Sequence, residues 1–359
     1  MTGDNMHVVF RVDSSQIIGS GHLMRCLTLA GEMKAHGFEV CFVCRDLIGN
    51  ISYIIESHGY KTFMLPRVEY DKSLTGYASW LTVSQERDAK ETADIISSYG
   101  NVDLVVVDSY AIDNIWEQFI RPYTGKIFVI DDLANRTHDC DFLLDQTYGA
   151  EKSNRYNGLI PVVCQRFLGV AYALLRPVFY SMRKKTTVRE KVKNVFVFFG
   201  GSDDTGETQK VLQALRQEDF SKYHFYVLIG SMNKEREIIE RECKTLGNVD
   251  FHCQVDNIEE YIAQSDVALA APGCNTWERC MLGLPSIMTV TADNQREIAK
   301  QIEQMGAALS IGWHENVFSA DYVHILERLE HLPVQEMSRK AFAIMGDSKL
   351  DEVMKVIGA

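Results

Sequence analysis

A strand, a turn bearing two glycines and an amphipathic helix follow one another within residues 7–33, and a second such unit opens at residue 194. Residues 7–12 are rich in valine and aromatics, as a buried strand is, whereas Leu23, Cys26, Leu27, Ala30 and Met33 recur at helical spacing. Gly19 and Gly21 lie between them. Two glycines there permit a sharp turn and let a ligand approach main-chain N–H groups, which converge at the helix start where the positive end of the macrodipole lies. The first turn is therefore expected to seat an anion.

Strand-like and helical runs alternate through the rest of the chain, which predicts an α/β protein with doubly wound, largely parallel sheets. In the first half, strands are expected at residues 39–44, 61–65, 102–107 and 126–130, with helices at 51–58 and about 84–98. The basic run 183–193 reads as a solvated hinge. It divides the chain into two similar domains, residues 1–185 and 190–359, as the length of 359 residues suggests. After the hinge come a strand at 194–199, the turn of Gly200 and Gly201, and strands at 225–229 and 266–270. Asp204 and Glu207 fit a capping box at the start of the helix that follows. With two such domains, the interdomain cleft is where a ligand is expected.

A net charge of -12 argues against a nucleic-acid or anionic-membrane surface, because affinity for phosphate polymers needs clustered positive charge. The nine cysteines are odd in number and scattered, and read as reduced thiols. Neither a signal peptide nor an apolar run long enough to span a bilayer is visible. The expectation is a cytoplasmic monomer that binds no nucleic acid and does not insert in membranes.

His22, at the first turn of the first helix, stands beside the glycine turn. The dipole there disfavours imidazolium, and a neutral ring can act as a general base on a bound ligand; the alternative is a histidine that caps or packs. Asp13, Asp108, Asp131 and Asp132 follow strands, at the sheet edge where open parallel sheets bind ligands. Each could instead cap or turn, but four on one edge suggest sugar hydroxyls as partners. No histidine and carboxylate spacing suits a metal. The segment 80–88 reads either as a ligand-facing loop or as the cap of the helix from about Ser84. Glu278 reads equally as the capping partner of Asn275 and as a carboxylate accepting ribose hydroxyls.

Five blocks in order carry a resemblance. They are Arg-x-Asp-x-Ser-x-x-Ile-Gly-x-Gly-His-x-x-Arg-Cys-Leu from Arg11, Val-Asp-Ser-Tyr from Val107, Asp-Asp-Leu-Ala-Asn-Arg from Asp131, Phe-Gly-Gly-Ser-Asp from Phe199, and Trp-Glu-Arg-x-x-Leu-Gly-Leu-Pro from Trp277 with Asp-Asn-Gln from Asp293. Together they resemble the UDP-sugar hydrolases of pseudaminic acid biosynthesis, which act on UDP-2,4-diacetamido-2,4,6-trideoxy-β-L-altropyranose. That family is similar to spore-coat polysaccharide proteins and to the peptidoglycan N-acetylglucosaminyltransferase, with its glycosyltransferase-B arrangement of two Rossmann-like domains. The resemblance implies that His22 is the catalytic base and that the C-terminal domain holds UDP. It makes Glu278 a ribose ligand and Gly201, Ser202, Asn275 and Thr276 diphosphate contacts, with Asn294 and Gln295 near the sugar or phosphate. Gly19, Gly21, Arg25, Asp13, Asp108, Tyr110 and Asp132 fall in matching blocks and are expected to line the substrate.

UDP is a good leaving group, so hydrolysis at the anomeric carbon needs an aligned water, a base and donors for the departing diphosphate. No cofactor and no metal are required, and direct displacement predicts inversion. A glycosyltransferase would share the scaffold and differ by an acceptor surface. A nicotinamide dehydrogenase is disfavoured by Met24, which stands where a third glycine is expected, although Asp46 after the second strand suits it. A non-catalytic nucleotide-sugar sensor is opposed by His22 alone.

Overall fold

The structure is a computed structural model and describes residues 6–358. It divides into two compact units, one of residues 1–174 and 348–359, the other of residues 175–347. Each holds one parallel sheet.

In the first unit the strands are β1 (His7–Val12), β2 (Glu39–Arg45), β3 (Lys61–Leu65), β4 (Leu104–Asp108), β5 (Lys126–Ile130), β6 (Phe142–Asp145) and β7 (Gln165–Leu168). Their order is β3-β2-β1-β4-β5-β6-β7. The helices are α1 (Gly21–Ala35), α2 (Tyr53–Ser57), α3 (Gln85–Tyr99) and α4 (Asn114–Ile120). β1, β2 and β4 are near-continuous apolar runs because helices cover both faces of such a sheet. β6 and β7 have four residues each, too few to show a period, and the sequence pattern did not reveal them.

A charged group is built into this core. Asp88 on α3 accepts from Arg11 Nε (3.0 Å) and Nη2 (2.7 Å), from Arg45 Nη2 (2.7 Å) and from Trp116 Nε1 (3.0 Å), and all four residues are fully buried. Burial opposes the charge on Asp88, but the two guanidiniums hold its carboxyl below the usual range. The cluster ties α3 and α4 to β1 and β2. Removing one partner of such a buried set costs about 3–5 kcal/mol.

The second unit comprises β8 (Asn194–Phe198), β9 (His224–Ile229), β10 (Val249–Cys253), β11 (Val267–Ala270), β12 (Ser286–Val290) and β13 (Ala308–Trp313), in the order β10-β9-β8-β11-β12-β13. Its helices are α5 (Pro177–Arg183), α6 (Glu207–Gln217), α7 (Arg236–Cys243), α8 (Ile258–Gln264), α9 (Asn275–Met281), α10 (Arg296–Gln304), α11 (Ser319–Glu327) and α12 (Val334–Ile344). The chain then returns to the first unit as α13 (Leu350–Ile357), whose Leu350, Val353, Met354 and Ile357 are buried and which packs on α1. Lys349 N donates to Ala171 O (2.8 Å) and Tyr172 Oη to Glu352 Oε2 (2.9 Å), which fix its start.

Two expectations are thereby corrected. The last residues join the first unit, and the basic run is not a solvated hinge. Arg183 donates to the carbonyls of Met281 (3.0 Å), Phe342 (2.9 Å) and Met345 (3.0 Å), while buried Arg189 donates to those of Ser265 (3.0 Å), Ile262 (3.1 Å) and Leu282. Burial pushes the Arg189 guanidinium down to about 10. Charge density in a linear run does not reveal that arginine stems and forks can serve as internal braces.

Candidate functional site

The strand order reverses between β1 and β4, which places the loop after β1 beside the end of β4. Such a switch point is where open α/β sheets form a crevice. After β1, Ser15 Oγ accepts from the amides of Ile17 (3.2 Å) and Ile18 (3.0 Å), and Ser15 O from that of Gly19 (2.8 Å). Gly19 takes φ +79°, a conformation that favours glycine. α1 then starts at Gly21 with neither a side-chain cap bond nor an acidic residue in its first turn.

His22 therefore sits at that helix start, as expected, but not under the influence of the dipole alone. Its Nδ1 lies 2.6 Å from Asp108 Oδ1 at the end of β4. Arg25, one turn along α1, donates Nη2 to the same oxygen and Nε to Oδ2, both at 2.6 Å. Burial opposes the charge on Asp108, yet Arg25 and His22 hold its carboxyl well below the usual carboxylate range. Arg25 Nη2 also lies 3.2 Å from Nδ1 and could donate only to a bare nitrogen, but the shorter contact to a permanent carboxylate favours hydrogen on Nδ1, which leaves Nε2 as the proton acceptor.

Arg25 also reaches Asp132, after β5, through Nη1 at 2.8 Å, and Tyr110 Oη donates to the other Asp132 oxygen at 2.6 Å. Both carboxylates are thus engaged within the protein. They support His22 and Arg25 where the sequence reading expected direct acceptors of sugar hydroxyls. Asp13 is corrected more strongly: it is 3% exposed, and its Oδ1 accepts from Arg45 N (2.7 Å) and pairs with Arg11 Nη1 (2.6 Å). Asp131 is fully buried and accepts from Arg136 Nη1 (2.7 Å) and Ala134 N (2.9 Å). A carboxylate removed from water needs partners, and position on a sheet edge does not show whether a ligand or an arginine supplies them. The sequence reading missed Asp145, at the end of β6, whose carboxyl is pushed up to about 6 by burial against the pull of Arg155.

Aromatic rings border His22. A 3-10 turn over Gly76–Leu81 carries Tyr77 and Trp80. Tyr110 and Trp80 approach the imidazole edge-on at centroid distances of 4.6 and 5.7 Å. The capping reading of the segment 80–88 is shown, since Ser84 Oγ caps α3 by accepting from Arg87 N (3.3 Å), and Trp80 stands against His22.

In the second unit the reversal falls between β8 and β11, and brings the turn 199–203 beside the turn 271–275. Gly200 has φ +105°, and Gly201 O accepts from Gly230 N at 3.0 Å. A Cβ on Gly230 would lie 2.6 Å from Gly201 Cα, so that position must be glycine. Ser202 is half-buried. The cap of α6 is Asp203, not Asp204: its oxygens accept from Glu207 N (3.0 Å) and Thr208 N (2.8 Å), and burial pushes its carboxyl up to about 6. Glu207 instead turns inward to Tyr322 Oη (2.6 Å) and Lys210 Nζ (2.5 Å), and Asp204 faces Lys234 at the surface.

Glu278 is not the partner of a cap. Cys274 is the residue before α9 and makes no side-chain cap bond; Asn275 donates its side-chain amide to Glu278 and accepts from Arg279 Nη1 (2.8 Å). Burial raises the Glu278 carboxyl, opposed by Arg176, which is itself paired with Glu259 at 2.5 Å. Arg279, overlooked in the sequence, is fully buried and binds Ser286 Oγ (2.9 Å), Ala271 O (3.2 Å) and Thr276 Oγ1 (3.2 Å). Thr276 is thereby corrected as a ligand contact: its hydroxyl serves Arg279 and its amide donates to Gly273 O (2.9 Å). Gln295 Oε1 accepts from Thr291 N and Oγ1, both at 3.0 Å, and its Nε2 end lies by Gly273, beside Asn294. The Asp-Asn-Gln block and the turn before α9 are thus neighbours.

Among the described residues there is no group of three or more His, Cys, Asp or Glu able to hold a metal, and no helix long and apolar enough to cross a membrane. No family model matches the chain. It is 26% identical over 302 residues to the UDP-2,4-diacetamido-2,4,6-trideoxy-beta-L-altropyranose hydrolase of Campylobacter jejuni, covering 84% of this chain and 97% of that one. To the spore coat polysaccharide biosynthesis protein SpsG of Bacillus subtilis it is 22% identical, covering 90% and 89%. An uncharacterised protein of Methanocaldococcus jannaschii matches at 24% identity over 81% of this chain, which spans 57% of that relative's length. Among solved structures, Arabidopsis thaliana UGT89C1 complexed with UDP superposes with a TM-score of 0.72 at 14% identity, covering 99% and 100% of the two chains. MurG of Acinetobacter baumannii gives 0.64 at 12% identity, covering 98% and 99%. The fold is accordingly that of the glycosyltransferase-B class, two Rossmann-like domains with parallel sheets of seven and six strands.

Proposed function

We propose that the protein is a UDP-sugar-processing enzyme, and that its reaction is hydrolysis at the anomeric carbon of a UDP-linked diacetamido-trideoxy sugar. The observation that carries this reading is the His22 ring oriented by Asp108 and Arg25 at the switch point of the first unit. The identity to the Campylobacter jejuni hydrolase supports the substrate class.

In this reading His22 Nε2 takes a proton from water as the water oxygen bonds to C1. The bond from C1 to the UDP oxygen breaks with its electron pair leaving on the diphosphate, and Asp108 stabilises the imidazolium. The charge developing on C1 resembles an oxocarbenium ion, and one-step displacement inverts the anomeric centre. Gly201 and Ser202 would meet the diphosphate with the amides and hydroxyl of their turn. Glu278 would accept the ribose hydroxyls, and Asn294 would face the sugar or phosphate.

A second reading, transfer of the sugar to an acceptor, is favoured by Ile17 and Ile48, which are 79% and 68% exposed on loops joined by Gln16 N to Ile48 O at 3.2 Å. Apolar side chains beside the glycine turn suit an apolar acceptor. Free UDP is therefore to be measured from UDP-sugars with and without an added lipid-linked acceptor, in EDTA. Release without acceptor supports hydrolysis, release only with acceptor replaces it by transfer, and no release by either route removes both.

A further inference from the structure

A donor stands beside His22 that the support around it does not use. Trp80 is partly exposed, its ring stands 5.7 Å from that of His22, and it packs against Tyr77 at 5.0 Å and Tyr110 at 5.3 Å. Among the described residues, no acceptor pairs with its Nε1–H. Trp116 differs, because its Nε1 binds Asp88 inside the core. That N–H is not among the buried polar atoms that lack a partner, so it opens to solvent beside the proposed base, where a ligand acceptor reaches it. The aromatic rings around it offer apolar surface in the same place.

A hexose hydroxyl would use the N–H but not the apolar wall, and a deoxy methyl group would use the wall but not the N–H. An acylamino group uses both, through its carbonyl oxygen and its methyl. We propose that Trp80, backed by Tyr77 and Tyr110, is the specificity determinant that reads an N-acyl substituent of the sugar: the amide carbonyl accepts from Nε1–H and the acyl methyl lies against the rings. This rests on the nucleotide-sugar reading above. A site holding an N–H for an acceptor discriminates against ligands that lack one, because that N–H is then left unpaired.

The test is calorimetric binding of UDP, UDP-glucose and UDP-N-acetylglucosamine to the full chain carrying His22→Ala, which suppresses turnover, with and without Trp80→Phe. Phenylalanine keeps a ring against the core and removes the N–H. Trp80→Phe should weaken UDP-N-acetylglucosamine about 2–12-fold, the range for one uncharged hydrogen bond, weaken UDP-glucose by less, and leave UDP within about twofold. Equal weakening of all three ligands, or retention of the full preference for the acylated sugar, overturns the assignment of Trp80 alone. Absence of binding by UDP and by both sugars in the chain with Trp80 intact overturns the nucleotide-sugar reading and this inference with it. Thermal melting of the Phe variant separates lost contact from lost fold, and Trp80→Tyr, which restores a donor on a smaller ring, should recover part of the preference.

Discussion

His22 owes its orientation to a carboxylate 86 residues further along the chain, and that dependence is measurable. His22→Gln should reduce UDP release by ~10²–10⁴-fold, the usual worth of a general base, with UDP affinity unchanged. Asp108→Asn should lower turnover within the same range, since the amide no longer selects the Nδ1–H tautomer. It should also destabilise the first unit, by less than the ~3–5 kcal/mol of a fully unpaired buried charge, because Arg25 loses its bidentate carboxylate but keeps Asp132. Turnover by Asp108→Asn close to wild type, assayed well below its melting temperature, would make Asp108 purely architectural. Glu278→Gln separates binding from structure more cleanly, as α9 has no side-chain cap to disturb. Its expected effect is weaker UDP binding by about 1.5–3 kcal/mol through loss of charge-assisted acceptors; unchanged calorimetric affinity would remove Glu278 from the ribose site. The residue types, and their order, were legible in the blocks from Arg11, Val107, Asp131 and Trp277. Arg25 as the common brace of Asp108 and Asp132 was not, because one guanidinium fork serving two carboxylates is a property of three adjacent strands.

Secondary elements with strong local signals were readable, and α6 shows where such reading stops. Its capping acid was expected at Asp204 by spacing, but φ +47° at Asp203 turns that side chain onto the helix amides. The consequence is a pH dependence. Burial lifts the Asp203 carboxyl from its ordinary 3.8 to about 6, so the folded state holds the proton more tightly than the unfolded chain. The stabilisation is complete below about pH 4 and is lost as pH rises through about 6, a change of roughly 3 kcal/mol. Asp203→Asn removes the titration, keeps one acceptor oxygen for the helix amides in place of two, and tolerates the positive φ. Denaturant unfolding of this variant should show a flatter pH profile than wild type between about pH 4 and 7, on a baseline lowered by the lost acceptor. Parallel profiles would assign the slope to other groups, Asp145 first among them.

At the scale of the molecule, α13 belongs to the first unit although it follows the second in sequence. Each large apolar side chain it buries is worth about 1.5–3 kcal/mol. Deleting residues 348–359 should therefore speed hydrogen exchange in α1 and lower the melting of the first unit, with exchange in β8–β13 unchanged; equal protection of α1 in the shortened chain would show that α13 adds nothing to it. Local patterning sufficed for the two strand–turn–helix units and the glycine turns, because each depends on steric and hydrophobic rules acting within about 30 residues, but it did not reveal β10, β12 and β13 of the second sheet. Short strands such as β6 and β7 carry too little pattern for those rules. The pairing of His22 with Asp108 and Arg25, the inward turn of Asp13 and Thr276, the bracing by Arg189 and the return of α13 were decided only by tertiary structure. They follow from which strands and helices become neighbours, and a buried charge takes whichever opposite charge or hydrogen-bonding group that adjacency places within reach.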